Sequence, residues 1–159
     1  MPSLKNKFIF GSAGLVAILA LSSAVGVIVA WRASRAVEKM LRANYDTLMY
    51  CQAMVDATSR LDQAVRAKVA GHDSADWNPA AAEFARNLSN QQANVTEPGE
   101  QQLTDGLTRQ WADFQGLVSS IRSAPPGRRR RAYELELQPL EARMLRSCHD
   151  ISGLNLKAV

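Results

Sequence analysis

The chain has few of the residues that build metal-bound or cross-linked proteins. Only two cysteines, Cys51 and Cys148, occur among its 159 residues. Their spacing fits neither a zinc site nor the disulfide framework of small secreted domains. The motifs of nucleophilic hydrolases, zinc proteases and phosphate-binding loops are also lacking. We therefore expect a protein that is not an enzyme, with no catalytic, cofactor-binding or metal-binding residues. The pattern leaves the ligand-binding residues unknown.

Helix breakers and strand patterns are scarce as well. The chain contains 9 Gly and 6 Pro, and none of them lies between Arg32 and Ala70. No segment shows the alternation of apolar and polar residues that is typical of half-buried strands. These absences predict an all-α protein whose first helix is unusually long.

Basic charge is concentrated in a few places. The net charge is +4, and most of the excess comes from Lys5, Lys7, Arg32, Arg35 and the run Arg128–Arg131. Little basic bias is left over the rest of the chain, so we expect no nucleic-acid partner. The arginine run suits the solvated start of a helix better than an anion site.

The longest uncharged run extends from Phe8 to Trp31. As a helix it reaches roughly 36 Å, enough to cross a hydrocarbon core of about 30 Å. We predict a cytoplasmic N-terminus at residues 1–7, a transmembrane helix at 8–31 and an extracytoplasmic domain at 32–159. A cleaved secretory signal ending near Ser22-Ser23-Ala24 is the alternative, although its apolar region would be unusually long.

The flanking charges decide the orientation only weakly. Lys5 and Lys7 favour a cytoplasmic start, whereas Arg32, Arg35 and Lys39 follow the other end of the run. Long domains cross membranes regardless of charge. We expect a single-pass protein of the bacterial inner membrane, exported from residue 32 onward.

Apolar periodicity divides the predicted extracytoplasmic domain into four helices. The first continues the membrane helix to about Ala70, with Gly71 well placed as the residue after its end. Asn78 is expected to cap the second helix, with Pro79 at its first position. The third begins at Glu100 and the fourth at about Arg129, with Pro139 inside it.

Each helix carries an apolar stripe, and four such helices joined by short breaks predict an up-down-up-down four-helix bundle. The predicted stripes are Val37, Leu41, Leu48, Cys51, Val55, Leu61, Val65 and Val69; Ala81, Phe84, Leu88, Gln91 and Val95; Leu103, Leu107, Trp111, Phe114, Leu117, Val118 and Ile121; and Tyr133, Leu137, Leu140, Met144, Ile151 and Leu154.

Short motifs at both ends of this domain resemble a known family. They are Asn44-Tyr45, Gln52-Ala53-Met54, Leu61-Asp62-Gln63-Ala64, the segment from Tyr133 through Pro139 to Leu140, and Asp150-Ile151-Ser152-Gly153-Leu154-Asn155. In this order they resemble the extracytoplasmic sensor region of bacterial KinB-like sensor histidine kinases, a four-helix-bundle domain. The resemblance covers nearly the whole chain.

The resemblance implies the input module of a two-component signalling system. It implies a homodimer in the lipid bilayer that responds to an unknown small-molecule or protein signal. The kinase core of such proteins has no counterpart among these 159 residues. A chemoreceptor input domain, or a membrane-anchored helical scaffold without signalling, remains the alternative.

Four further features have ordinary structural explanations. His149-Asp150 resembles a phosphoacceptor motif, but the basic residue and proline expected after it are replaced, which favours a surface histidine. Cys51 and Cys148 would stand about 30 and 16 Å above the membrane, which favours packing residues over a disulfide. Arg60 and Arg66 could bind an anion, yet exposed helix arginines are usually solvated. His72 and Asp73 are too few for a metal site.

Overall fold

The structure is a computed structural model that describes the backbone of residues 4–72 and 76–158, with the side chains of residue 14 and of residue 18 onward within these ranges. The chain is 90% helical and has no strand in the described ranges. The prediction of an all-α fold is confirmed. Residues 1–3 of the predicted cytoplasmic segment, and Asp73, lie outside the described residues.

The helices follow the breaks expected from Gly and Pro. Helix α1 covers Leu4–Val69, α2 covers Asn78–Ala93 and α3 covers Glu100–Ser123. The last part of the chain consists of α4 (Pro126–Ala132), a π-helical segment (Tyr133–Leu137, hereafter the π segment) and α5 (Gln138–Lys157). The first helix is continuous, as the absence of breakers predicts. By contacts, the chain forms two compact units, Met1–Met40 and Leu41–Val159.

In its described part, residues 4–40, the first unit is helical throughout. The stretch Ile18–Val69 of α1 contains an 18-residue window of mean hydropathy 1.3, none of it buried. By length and composition this helix is a candidate membrane span. The Arg35 guanidinium lies 3.9 Å from the centre of the Trp31 ring, a cation–π contact typical of interfacial residues.

The second unit buries one stripe of each helix, mostly at steps of three and four residues, the spacing of knobs-into-holes packing. The buried positions are Asn44, Thr47, Cys51, Met54, Ala57, Thr58, Leu61 and Val65 on α1; Ala80, Phe84, Leu88 and Gln91 on α2; Glu100, Thr104, Leu107, Trp111, Phe114, Val118 and Ile121 on α3; and Tyr133, Leu137, Leu140, Glu141, Met144, Cys148, Ile151 and Asn155 on the π segment and α5. Stacked Phe84, Trp111 and Phe114 rings occupy the centre.

The predicted stripe of α1 is wrong where the second unit begins. Leu41 is exposed, as is Val37 in the first unit, whereas Asn44 and Thr47 are buried. Leu103 and Leu154 are only half-buried. Polar residues take these seam positions, and a pattern of apolar residues alone could not find them.

The ends of α1 and α2 show one confirmed prediction and one correction. Gly71 has φ of +91°, and the His72 and Gly71 N–H groups donate to the carbonyls of Ala67 and Lys68 at 2.9 and 3.1 Å. This is a Schellman end, as predicted for Gly71. Asn78, however, does not cap α2: it is the first helical residue, and its own N–H donates to Asp76 Oδ1 at 2.9 Å.

Helix ends meet at each of the two ends of the second unit. The beginning of its α1 portion, the end of α2, the beginning of α3 and the end of α5 meet around Glu100. At the other end, Arg66 of α1 meets Tyr133 of the π segment, and Arg60 of α1 forms a 2.7 Å ion pair with Glu83 of α2. The two ends therefore carry two separate polar clusters.

Candidate functional site

The first polar cluster, the Glu100 layer, consists of Thr47, Gln91, Glu100, Thr104 and Asn155. Glu100 is fully buried. Its Oε1 accepts hydrogen bonds from Gln91 Nε2 and Asn155 Nδ2, both at 2.8 Å, and from Thr47 Oγ1 at 3.4 Å. One carboxylate thus joins α1, α2 and α5 to the start of α3.

The other oxygen of Glu100 closes the loop before α3. Oε2 accepts the backbone N–H groups of Thr96 at 2.8 Å and Glu97 at 3.0 Å. The chain reaches this position through Gly99, whose φ of +89° suits only glycine. The carboxylate lies at the positive end of the α3 dipole, which favours its charge.

Hydrogen bonding keeps Glu100 charged despite its burial. Burial raises the pKa of this carboxyl, but the N–H groups of Glu97 and Thr96 and the amides of Asn155 and Gln91 together lower it below its ordinary value of 4.5. Among residues 18–72 and 76–158, no ion pair neutralises Glu100. The layer is therefore a buried anion held by dipoles alone.

The loop between α2 and α3 is fastened to α1 by further hydrogen bonds. Asn94 Nδ2 donates to the Ala43 carbonyl at 2.7 Å and to Thr47 Oγ1 at 3.0 Å. Asn44 donates to Glu97 Oε1 and accepts from Thr96 Oγ1, both at 3.2 Å. Any displacement of α1 near Asn44 would break these bonds.

The second polar cluster begins at the π segment. Pro139 explains why the helix has a π turn there. Proline has no N–H to donate to the carbonyl four residues before it, so the ordinary helical ladder cannot continue there. The Gln138 N–H instead bonds the carbonyl of Tyr133, five residues before it. Such single π turns are frequent at functional sites.

The π turn directs Tyr133 toward α1. Its hydroxyl donates to Asp62 Oδ1 at 2.5 Å and accepts from Arg66 Nε at 2.6 Å and Gln138 Nε2 at 3.2 Å. Arg66 Nε also lies 2.8 Å from Asp62 Oδ2. Burial first, and then the bond to Asp62, raise the pKa of Tyr133, so its hydroxyl stays a donor.

Glu141 completes this second cluster, the π-segment cluster, which we define as Asp62, Arg66, Tyr133, Gln138 and Glu141. Only 7% of Glu141 is exposed, and its Oε1 has no partner in the described part of the chain. Burial, and then the negative charge of Asp62, raise the pKa of Glu141 to about 8, while Arg66 opposes this shift. The raised pKa favours the protonated form of Glu141 at neutral pH, beside the Asp62 carboxylate.

A pocket of about 270 Å³ opens beside this cluster. Asp62 and Arg66 of α1 line one wall, and Gln138 and Glu141 of α5 line the other. The pocket therefore lies where α1 and α5 exchange hydrogen bonds, and a molecule bound in it would contact both helices.

Four of the basic side chains singled out in the sequence are paired. Arg60 is held by Glu83, and Arg66 by Asp62 and Tyr133. In the run Arg128–Arg131, Arg129 donates to the Ala124 carbonyl and Arg130 pairs with Glu134, both at 2.8 Å. The contacts of Arg129 and Arg130 are therefore local, to residues five and four positions away in the chain.

The two histidines remain outside both clusters. His149 and His72 are exposed. No group of three or more potential ligands suits a metal ion among the residues described.

Both cysteines are buried and unbonded. Ser152, one turn from Cys148 on α5, lies close enough to the Cys51 thiol to oppose the rise in its pKa, and the charge of Cys51 would raise the pKa of Cys148. The two cysteines therefore lie closer together than their predicted heights indicate. Burial raises their pKa values to about 11 and 12, so both thiols are unreactive.

The apolar pattern of the sequence does not identify several residues of the two clusters. It marks Glu100 only as the start of a helix, and it does not distinguish Glu141 or Thr104 from other polar residues. The available signal was a polar residue recurring at a seam position, which usually fixes register in helical bundles. Pro139 was the signal for the irregular turn.

Comparison of the chain with protein-family models, with curated proteins and with solved structures finds no match. The interpretation of the two clusters therefore depends on their own geometry.

Replacing Glu100 with Gln tests the buried anion. One carboxylate oxygen becomes an NH₂ group that faces other donors, and we expect a loss of about 1 to 3 kcal/mol in unfolding free energy at pH 7. Because the folded pKa is lowered, the stabilisation is present above pH 4.5 and is lost as pH falls further. Denaturant unfolding of the purified chain at pH 3.5 and 7 measures both effects.

The matched control for that substitution is Asp105→Asn, an exposed carboxylate one turn along α3 that accepts only Gln101. It should change stability by less than about 0.5 kcal/mol. Equal losses in both variants would contradict the role of Glu100.

Glu141 predicts the opposite dependence on pH in a different range. The unfolded chain loses this proton near 4.5 and the folded chain near 8. Stability from Glu141 is therefore complete below pH 4.5 and declines as pH rises toward 8. Glu141→Gln should leave the melting temperature at pH 5 nearly unchanged and raise it at pH 9. Circular dichroism melts across this range measure the difference, and a parallel shift at all pH values would contradict it.

Proposed function

We propose that the chain is the membrane-anchored, extracytoplasmic sensor module of a two-component signalling system, built as an up-down-up-down four-helix bundle. In this proposal it has no enzymatic activity of its own and passes a signal to a histidine kinase core. The alternating contacts between helix ends and the apolar stretch of α1 support this architecture.

The observation that carries the proposal is that the motifs resembling the sensor family contact one another or a shared cluster. Asp62 belongs to the motif on α1, and Tyr133 to the motif near the chain's end, and the two are hydrogen-bonded at 2.5 Å. Asn155, the last residue of the resembling segment, bonds Glu100. Residues far apart in sequence thus form the polar contacts that join α1 to the π segment and α5 to α3.

The mechanism follows from the cost of these contacts. A buried polar group without its partner costs about 1 to 3 kcal/mol, so the clusters favour discrete packings of α1 against α5 over gradual sliding. A ligand that binds one packing better shifts the population toward it. We propose that the pocket beside the π segment is where such a signal acts.

Two partners accompany this function. One is the lipid bilayer around the apolar run, and the other is a second copy of the chain. On α1, Leu41, Tyr45 and Met49 are 45%, 61% and 52% exposed at spacings of four residues. Such a stripe, opposite the buried seam, supports a homodimer through α1.

Labelling of an introduced cysteine tests the orientation. His72→Cys lies at an exposed position after α1, and a membrane-impermeant maleimide should label it in intact bacteria. Cys51 and Cys148 are buried with raised pKa values and should stay unlabelled. Ser3→Cys, in the proposed cytoplasmic N-terminus, serves as the reverse control. Labelling of residue 72 only after permeabilisation would contradict export.

A chimaera tests signalling. The chain is joined after Val159 to a membrane span and a histidine kinase core, and autophosphorylation is measured in membranes. Glu141→Gln alters the α1–α5 contact without adding a charge and should change the rate by about threefold or more, equivalent to about 0.7 kcal/mol between two states. The control Glu134→Gln removes an exposed pair with Arg130 and should have no effect. Equal rates for all three would favour a scaffold.

A further inference from the structure

The pocket beside the π-segment cluster is rich in hydrogen-bond acceptors. Besides Asp62, Arg66, Gln138 and Glu141, it is lined by Thr58 and Ser59. Its volume of about 270 Å³ is at the lower limit of ordinary ligand sites. It therefore suits a small molecule.

Several nearby donors already have acceptors. Arg66 Nε is shared between Asp62 and Tyr133, and Gln138 Nε2 donates to Tyr133. Thr58 Oγ1 donates to the carbonyl of Met54 at 2.8 Å. Among the described residues of this lining, the buried atom without a partner is an acceptor, Glu141 Oε1, so a ligand that contacts it must supply a donor.

Glu141 supplies an acceptor that lacks a partner. Its side chain is more than nine-tenths buried, yet Oε1 receives no hydrogen bond from the described residues. A buried carboxyl oxygen left in this state costs free energy, which a bound donor would recover. Asp62, the neighbouring carboxylate, adds negative charge on the α1 side.

From these observations we propose that this pocket binds a small primary ammonium ion, R–NH₃⁺, between the carboxyl groups of Asp62 and Glu141. The assignment names the ligand class of the input site and so rests on the proposed function. Three N–H donors match the two carboxyl groups and the hydroxyls of Thr58 or Ser59. The organic group R would lie toward Ala142 and Leu145, the apolar part of the lining.

Charge balance predicts proton release on binding. Before binding, Glu141 is protonated and Asp62 is balanced by Arg66. The ammonium takes the place of the proton shared by the two carboxyl groups, so Glu141 becomes a carboxylate and one proton leaves to solvent. No bond to carbon is made or broken. Tyr133 stays protonated and keeps its bond to Asp62.

Calorimetry of the purified full chain in detergent tests this directly. Propylammonium chloride is titrated at pH 7 in phosphate and in HEPES, whose ionisation enthalpies differ and neither of which contains a primary ammonium group. We expect saturable binding with about one proton released per site, and affinity that increases from pH 6 to pH 8. Glu141→Gln should weaken binding by about tenfold or more, because it removes a charge-assisted hydrogen bond.

Two controls make the outcome decisive. Tetramethylammonium has the charge but no N–H donor and should not bind. Glu134→Gln, an exposed carboxyl on the π segment, should bind propylammonium like the unaltered chain. Absence of binding, equal binding of both ions, or unchanged affinity in Glu141→Gln would each overturn the assignment. The measurement needs no kinase, so its failure is distinguishable from failure of the signalling chimaera.

Discussion

The carboxylate of Glu100 is the constraint on which the second unit of this chain depends. It is buried without a basic partner and is held by five N–H or O–H donors from α1, α2, the loop before α3, and α5. Removing a buried charge from its donors is costly, so these elements keep one register. Helices packed through apolar residues alone could shift by one turn at small cost, whereas the hydrogen bonds of the Glu100 layer hold one register.

The π-segment cluster complements the Glu100 layer at the opposite end. Here Pro139 breaks the regular ladder, and the resulting turn brings Tyr133 to Asp62 and Arg66. Glu141 remains uncharged at neutral pH beside them. One end of the unit is thus a fully bonded anion that fixes packing. The other contains a titratable carboxyl next to a pocket.

Much of the helical architecture was predictable from local chemistry. The lack of Gly and Pro from residue 32 to 70 predicted one continuous helix. Gly71 and the pairs Pro98-Gly99 and Pro125-Pro126 predicted the breaks between successive helices. Asn78 is not the cap of α2, because Trp77 occupies the cap position and Asp76 Oδ1 accepts the Asn78 N–H. The seams were predicted at their apolar positions and missed where Asn44, Thr47 and Glu100 replace hydrophobic residues.

Local sequence is enough to predict most helix boundaries and the apolar stretch of α1, because these depend on neighbours a few residues apart. The burial of Glu100 and Glu141, the opposite directions in which their pKa values move, and the contact of Asp62 with Tyr133 come from the tertiary fold. A carboxyl's charge state depends on its burial and on its partners, and two side chains that hold Glu100 lie 53 and 55 residues away in the chain.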